Sequence, residues 1–236
     1  MGLSLFVGLP TYDGSRYNTI PLIAAVQECR RFDRMDFMEQ SASLLSTNFN
    51  QILLAAIERH KEGLADFFLL MHADIIPMNP KTWLDELMNA RREVKAQVLS
   101  VVVPIKDQRG ITSTAIETES IWAPRRLTMK EIFDFPETFT DPKLLVNTGM
   151  LLIDMRKNDW IEKICFTIID SIIELPNGRR VAAVQPEDWD FSRQAKFHGA
   201  TLWATRRVPV IHKGHFPYPN FTPWGKAQDP GDGSGV

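Results

Sequence analysis

Short apolar runs alternating with amphipathic stretches set the frame of this chain. Leu3 to Val7 is hydrophobic and breaks into the turn-rich Gly8-Leu-Pro-Thr-Tyr-Asp-Gly14. Asn18 to Arg31 has helical periodicity, and Met35 to Glu39 reads as a second strand. Phe49, Ile52, Leu53, Ala56 and Ile57 then fall on one helical face. Asp66 to Met71 is a strand of the kind buried on both faces, followed by a helix from Pro80 to Arg92 with proline in its first turn. Val94 to Pro104 is a further strand. Strands and helices in strict alternation predict an α/β fold, with a mostly parallel central sheet flanked by helices.

The second half is less regular, and a smaller antiparallel portion is expected there. Asp107 to Ser120 reads as a loop and Leu127 to Phe133 as a short helix. Leu144 to Ile153 is a strand interrupted at Asn147-Thr-Gly149, and Trp160 to Leu175 fits helix or strand equally. Pro186 to Phe197 reads as a helix with Glu187 and Asp188 in its first turn, where the dipole favours carboxylates. Ala200 to Ile211 is a strand pair or one bent strand. From Phe216 the composition turns to Pro, Gly, Asn and Asp, which suggests a lid or tail over residues 216–236, disordered from Asp229. The expected organisation is a single domain over 1–215, with a nucleotide-binding half (1–105) and an acceptor and catalytic half (106–215).

Composition narrows the class. With 236 residues, 44% hydrophobic and 24% charged, the chain has the make-up of a globular domain. No run is long enough to span a bilayer, and the N-terminus reads as a first strand rather than a signal peptide. A net charge of -2 argues against a strongly electrostatic nucleic-acid binder. The two cysteines, Cys29 and Cys165, sit in apolar surroundings and read as buried free thiols, which suggests a reducing, cytoplasmic compartment.

The chemistry concentrates where the third strand would leave the core, at His72-Ala73-Asp74. In open α/β sheets ligands bind outside the carboxyl ends of strands. Residues two apart on an extended chain point the same way, so His72 and Asp74 could face one ion. The motif also reads as a plain polar turn. Asp188 can serve as a general base or merely satisfy backbone N–H groups at a helix start. Asn48 either caps the second helix or reaches a ligand.

Three signals occur in order: Pro10-Thr-Tyr-Asp13 after the first strand, His72-Ala-Asp74 after the third, and Pro186-Glu-Asp188 opening a helix ahead of Val210-Ile-His212. Together they resemble GT-A glycosyltransferases, most nearly the family 2-like enzymes of bacterial and phage type, over residues 3–216. The resemblance implies a single GT-A (Rossmann-like) domain. It also implies metal-dependent transfer of a sugar from a nucleotide-diphosphate sugar, a UDP-sugar first among them, to an acceptor hydroxyl with inversion. It makes Asp74 and His212, with His72, the ligands of Mn²⁺ or Mg²⁺, and Asp188 with Glu187 the catalytic carboxylates. Donor contacts are implied for Pro10, Thr11, Tyr12, Asp13, Asn48, His72, Ala73, Lys106, Asp107, Asn147, Gly149 and Lys213. The family's first acid is His72 here, a departure at the metal motif.

Three alternatives remain. Arg-Arg pairs beginning at residues 30, 91, 125, 179 and 206 would favour a nucleic-acid acceptor, such as a hydroxylated base in DNA, if they shared one face. A non-catalytic nucleotide-sugar-binding module is the second. The third is a nucleotidyltransferase, against which the Gly8 to Gly14 loop carries no basic residue for a triphosphate.

Overall fold

The computed structural model describes residues 2–12, 14, 16–156 and 159–226. Its first half follows the predicted alternation: β1 (Leu3–Thr11), α1 (Thr19–Glu28), β2 (Phe32–Ser41), α2 (Leu45–Lys61), β3 (Phe67–Met71), a short β4 (Ile75–Pro77), α3 (Trp83–Val94) and β5 (Val98–Val101). Pro80 lies in the turn before α3 rather than in its first turn.

The second half holds more strand than its sequence suggests. Strands β6 (Ile111–Ile116) and β7 (Arg125–Thr128) occupy the expected loop and the start of the expected helix, with only Glu131–Asp134 forming a 3-10 turn. The β-branched Ile111, Thr112 and Thr114 favour extended backbone, and Thr112 and Thr114 are fully buried. There follow β8 (Thr138–Phe139), β9 (Leu144–Leu145), β10 (Met150–Asp154), a 3-10 turn at Asp159–Lys163, and the hairpin β11 (Ile169–Glu174) with β12 (Arg180–Gln185). The chain continues through α4 (Glu187–Phe197), β13 (Leu202–Thr205), β14 (Val210–Lys213) and β15 (Pro217–Pro219). Trp160 to Leu175 therefore contains both a helical turn and a strand. Ala200 to Ile211 carries two strands that belong to different sheets.

The central sheet has seven strands in the order β2-β1-β3-β10-β5-β13-β8. It is mixed rather than mostly parallel. Pairings β1–β2, β1–β3 and β5–β13 are parallel, while β10 runs antiparallel to both β3 and β5, and β8 antiparallel to β13. The completely apolar Met150-Leu-Leu-Ile153 gives no directional signal, because a strand buried on both faces reads alike in either orientation.

Alternation along β3 divides the core. Phe68 and Leu70 join Phe49, Ile52 and Phe191 of α2 and α4 on one face. Phe67, Leu69 and Met71 join Leu22, Trp83, Leu84 and Leu87 of α1 and α3 on the other. Helices thus cover both faces. Three small antiparallel groups complete the fold: β7-β6-β9, β15-β14-β4 and the β11–β12 hairpin. The described part of the segment expected as a lid or tail is fastened to the body. β15 pairs with β14, Tyr218 is buried, and buried Asn220 donates to the carbonyls of Val102 and Val208. Residues 227–236, including the end expected to be disordered, lie outside the described residues. Among the described residues, no helix is long and apolar enough to cross a membrane.

Candidate functional site

The sheet directions decide where the chemistry collects. β1, β3, β5 and β13 point the same way, so residues 10–12, 72–74, 104–107 and the approach to β14 emerge at one edge. The His72–Asp74 turn is held there by four backbone links. Gly149 O accepts from His72 N (2.9 Å), Ala73 O from Tyr17 N (2.9 Å), His72 O from Asn18 Nδ2 (3.0 Å), and Asp74 O from Lys213 N (2.8 Å). β14 pairs with β4 so that His212 lies opposite Ile75, next to Asp74 in sequence.

These elements wall a cleft of about 630 Å³, within the range of small-molecule sites. Of the predicted residues, Pro10, Thr11, Tyr12, Asn48, His72, Ala73, Asp74, Lys106 and Lys213 line it. His215, with Tyr17 and Gly214, also lines it. Asp13 lies outside the described residues. Tyr12 is 82% exposed and offers an open aromatic face.

Charge converges on one oxygen. Lys106 Nζ bonds Asp74 Oδ2, and His212 Nε2 stands 3.4 Å from the same atom. His212 Nδ1 is 2.7 Å from Pro104 O. A carbonyl only accepts, so His212 Nδ1 donates to Pro104 O, and Nε2 is the ring atom that faces Asp74. Burial by itself would raise the Asp74 carboxyl, but the hydrogen bonds and charges of His212 and Lys106 outweigh it and hold the group well below the usual carboxylate range.

His72 behaves differently. Burial pushes its imidazole down to about 4, so the ring is neutral at pH 7. Its Nε2 is buried with no partner among the described residues, and the ring packs 5.2 Å from Phe49. Asn48 is not a cap: α2 begins at Leu45, and Asn48 Nδ2 donates to Thr11 O (3.2 Å) from within the first turn. That bond leaves Asn48 Oδ1 buried and unpartnered among the described residues, on the cleft wall.

Asp74 Oδ2 and His212 Nε2 suit a divalent cation as a carboxylate-imidazole pair. Their separation is about what two donors each roughly 2.1 Å from one ion present. No group of three or more His, Cys, Asp or Glu forms a complete cage among the described residues. A ligand's own oxygens would have to supply the rest.

Other predicted residues lie elsewhere. Asn147 is buried, donates to Val101 O (2.8 Å) and Thr114 Oγ1 (3.3 Å), and accepts from Gly149 N (3.0 Å), so its amide is engaged within the protein. A Cβ on Gly149 would stand 3.2 Å from Asn147 Oδ1 and from Val103 Cγ2, so this glycine serves internal packing rather than approach to a sugar. Asp107 does not line the cleft and accepts from Arg109 N and Nε.

Glu187 and Asp188 are both buried at the start of α4 and do not line the cleft. Burial first, then the adjacent Glu187 charge, pushes the Asp188 carboxyl up to about 8, against the lowering charge of Arg126. Burial raises Glu187 as well. Asp188 Oδ1 accepts from Trp189 N (2.8 Å), and the Arg126 guanidinium lies 4.4 Å over the Trp189 ring. In the sequence Arg126 stands out only as half of an Arg-Arg pair, and it meets Trp189 only through the fold.

Four of the five arginine pairs have a member in an ion pair. Arg31 meets Asp85, Arg91 meets Asp154, Arg125 meets Glu131, and Arg207 meets Glu86 and Glu93. Cys29 is buried as expected, but Cys165 is exposed.

No family model and no curated protein matches the sequence. Among solved structures, the chain is similar to one titled "Crystal Structure of A197 from STIV", with a TM-score of 0.52 and 14% identity. The match covers 90% of this chain and 86% of that one, a likeness of fold over nearly the whole length.

Proposed function

We propose that this protein is a GT-A glycosyltransferase that moves a sugar from a nucleotide-diphosphate sugar to an acceptor hydroxyl. One observation carries the reading. Asp74 and His212, far apart in sequence, meet at the carboxyl end of the central strands; Asp74 lines the cleft with Lys106, Lys213 and His215, and His212 stands behind it, off the lining. A carboxylate-imidazole pair beside two lysines suits a diphosphate with its Mn²⁺ or Mg²⁺. When bound there, the cation neutralises charge on the departing diphosphate.

The chain's own residues do the rest. Lys106 and Lys213 face the phosphates, Tyr12 stacks on the base, and neutral His72 and Asn48 offer polar atoms to the nucleoside. Asp188, buried at the start of α4 and off the cleft wall, is the base for the acceptor hydroxyl provided the bound acceptor reaches α4, and direct attack of that oxygen on the anomeric carbon then gives inversion. Glu187 keeps that carboxyl basic through its charge.

The test is a donor screen across UDP-, GDP- and other nucleotide sugars with Mn²⁺, reading nucleoside diphosphate release. Asp74→Ala and Asp188→Ala are expected to lose transfer. Full activity in both would end this assignment, and a product with retained anomeric configuration would remove Asp188 from its role.

A further inference from the structure

The cation seat on Asp74 is already taken. Lys106 Nζ and His212 Nε2 converge on the same oxygen, Asp74 Oδ2. An ion bridging that oxygen and His212 would have to compete with the ammonium for the same oxygen. The lysine is also provided with a berth. A Cβ on Gly214 would stand 3.1 Å from Lys106 Cδ, 3.4 Å from Lys106 Cβ and 3.1 Å from Tyr218 Cε2. Gly214 thus leaves room for the aliphatic stem of Lys106 to lie across the end of β14, with Tyr218 on the other side. The stem comes from the loop after β5, while the berth belongs to β14 and β15, so the arrangement exists only in the folded chain.

We propose that Lys106 is an internal competitor of the divalent cation. It holds Asp74 while the cleft is empty and gives it up when metal arrives with a diphosphate, whose oxygens offer the ammonium a new partner. This rests on the metal reading above and adds a regulatory role to a residue otherwise regarded as a phosphate contact. The pair is partly exposed, so its release is cheap. Metal alone therefore binds weakly, and the empty cleft discriminates against free cations without a complete cage.

The experiment measures Mn²⁺ binding to the full chain without nucleotide, by the loss of the free-ion electron paramagnetic resonance signal. Four proteins are compared: the natural sequence, Lys106→Met, Gly214→Ala and Asp74→Asn. Lys106→Met removes the competing charge and keeps the stem. It is expected to tighten Mn²⁺ binding roughly fivefold, in keeping with the modest strength of exposed ion pairs. Gly214→Ala keeps the lysine but fills its berth, and is expected to shift affinity in the same direction. Asp74→Asn is expected to abolish binding. If Lys106→Met binds Mn²⁺ no more tightly than the natural sequence, the competition is refuted while the metal site stands. If Asp74→Asn binds as well as the natural sequence, the metal reading itself falls, and this inference with it.

Discussion

Asp188 holds a proton that its unfolded counterpart releases. Between the ordinary carboxylate range and about 8, the folded state binds more protons than the unfolded state, so stability falls as pH rises through that window. The Asp188→Asn variant is expected to flatten this dependence and to be the more stable protein at pH 8, by on the order of a few kcal/mol. Denaturant melts at several pH values check this. The same shift sets an activity expectation: a base must be ionised, so kcat/KM should climb with pH through about 8 and level off only above it. Loss of the base is expected to cost about a hundredfold or more in rate. Asn147 makes a different prediction. Asn147→Ala would take the acceptor from Gly149 N–H and leave the buried Val101 carbonyl with only the longer 3.3 Å bond from Ser100 Oγ. The cost is about 3 kcal/mol, or on the order of 10 °C in Tm for a chain this size. Calorimetry would show this as lost stability. Residue type explains what was legible here. Asp74 and His212 stand at strand ends in the sequence and meet in the fold. Asn147 also interrupts a strand, and nothing in its neighbours tells an inward amide from one that faces a ligand.

Elements differ in how firmly they are embedded. The β11–β12 hairpin pairs with itself from Ile169–Gln185 to Glu174–Arg180 and makes only glancing contact with other elements. Its anchor is at the base, where Gln185 Nε2 donates to Asp190 Oδ1 (2.7 Å). Replacing residues 170–184 by a short Gly-Ser turn is therefore expected to change Tm by less than about 3 °C and to leave Mn²⁺ binding intact. A large loss of stability would show that the hairpin supports the body. The β14–β15 hairpin is the opposite case. It carries His212, buries Tyr218, and continues to a crossing where Gly225 and Gly110 touch. A Cβ on Gly225 would come within 2.4 Å of Gly110 Cα, and both glycines have positive φ. Hydrophobic pattern marked the four long helices and β1, β2, β3 and β5, while the three-residue β4 gave too little to read. Strands β7 to β9 have four residues or fewer, and β8 pairs with the distant β13, so local pattern had little to register.

At the scale of the molecule, function depends on strand direction. The parallel course of β1, β3, β5 and β13 brings four connecting segments to one edge, which is where ligand sites form in open α/β sheets. Order of elements was enough to foresee that edge. It did not reveal β10, which runs antiparallel between β3 and β5 with Leu151, Leu152 and Ile153 wholly buried. That placement bears on how the protein is made. β5 ends at Val101 and β10 begins only at Met150, so a growing chain completes both flanking strands well before the one that joins them. Until then the facing edges of β3 and β5 are raw and apolar, the kind of surface that recruits other chains. A fragment of residues 1–105 is expected to aggregate when expressed alone and to be rescued by co-expressing residues 106–236. A soluble, folded 1–105 fragment would show that the gap closes without β10. Biogenesis, rather than the finished fold, is then the stage at which this architecture is most exposed to failure, and chaperone dependence should peak while the ribosome is still translating the middle of the chain.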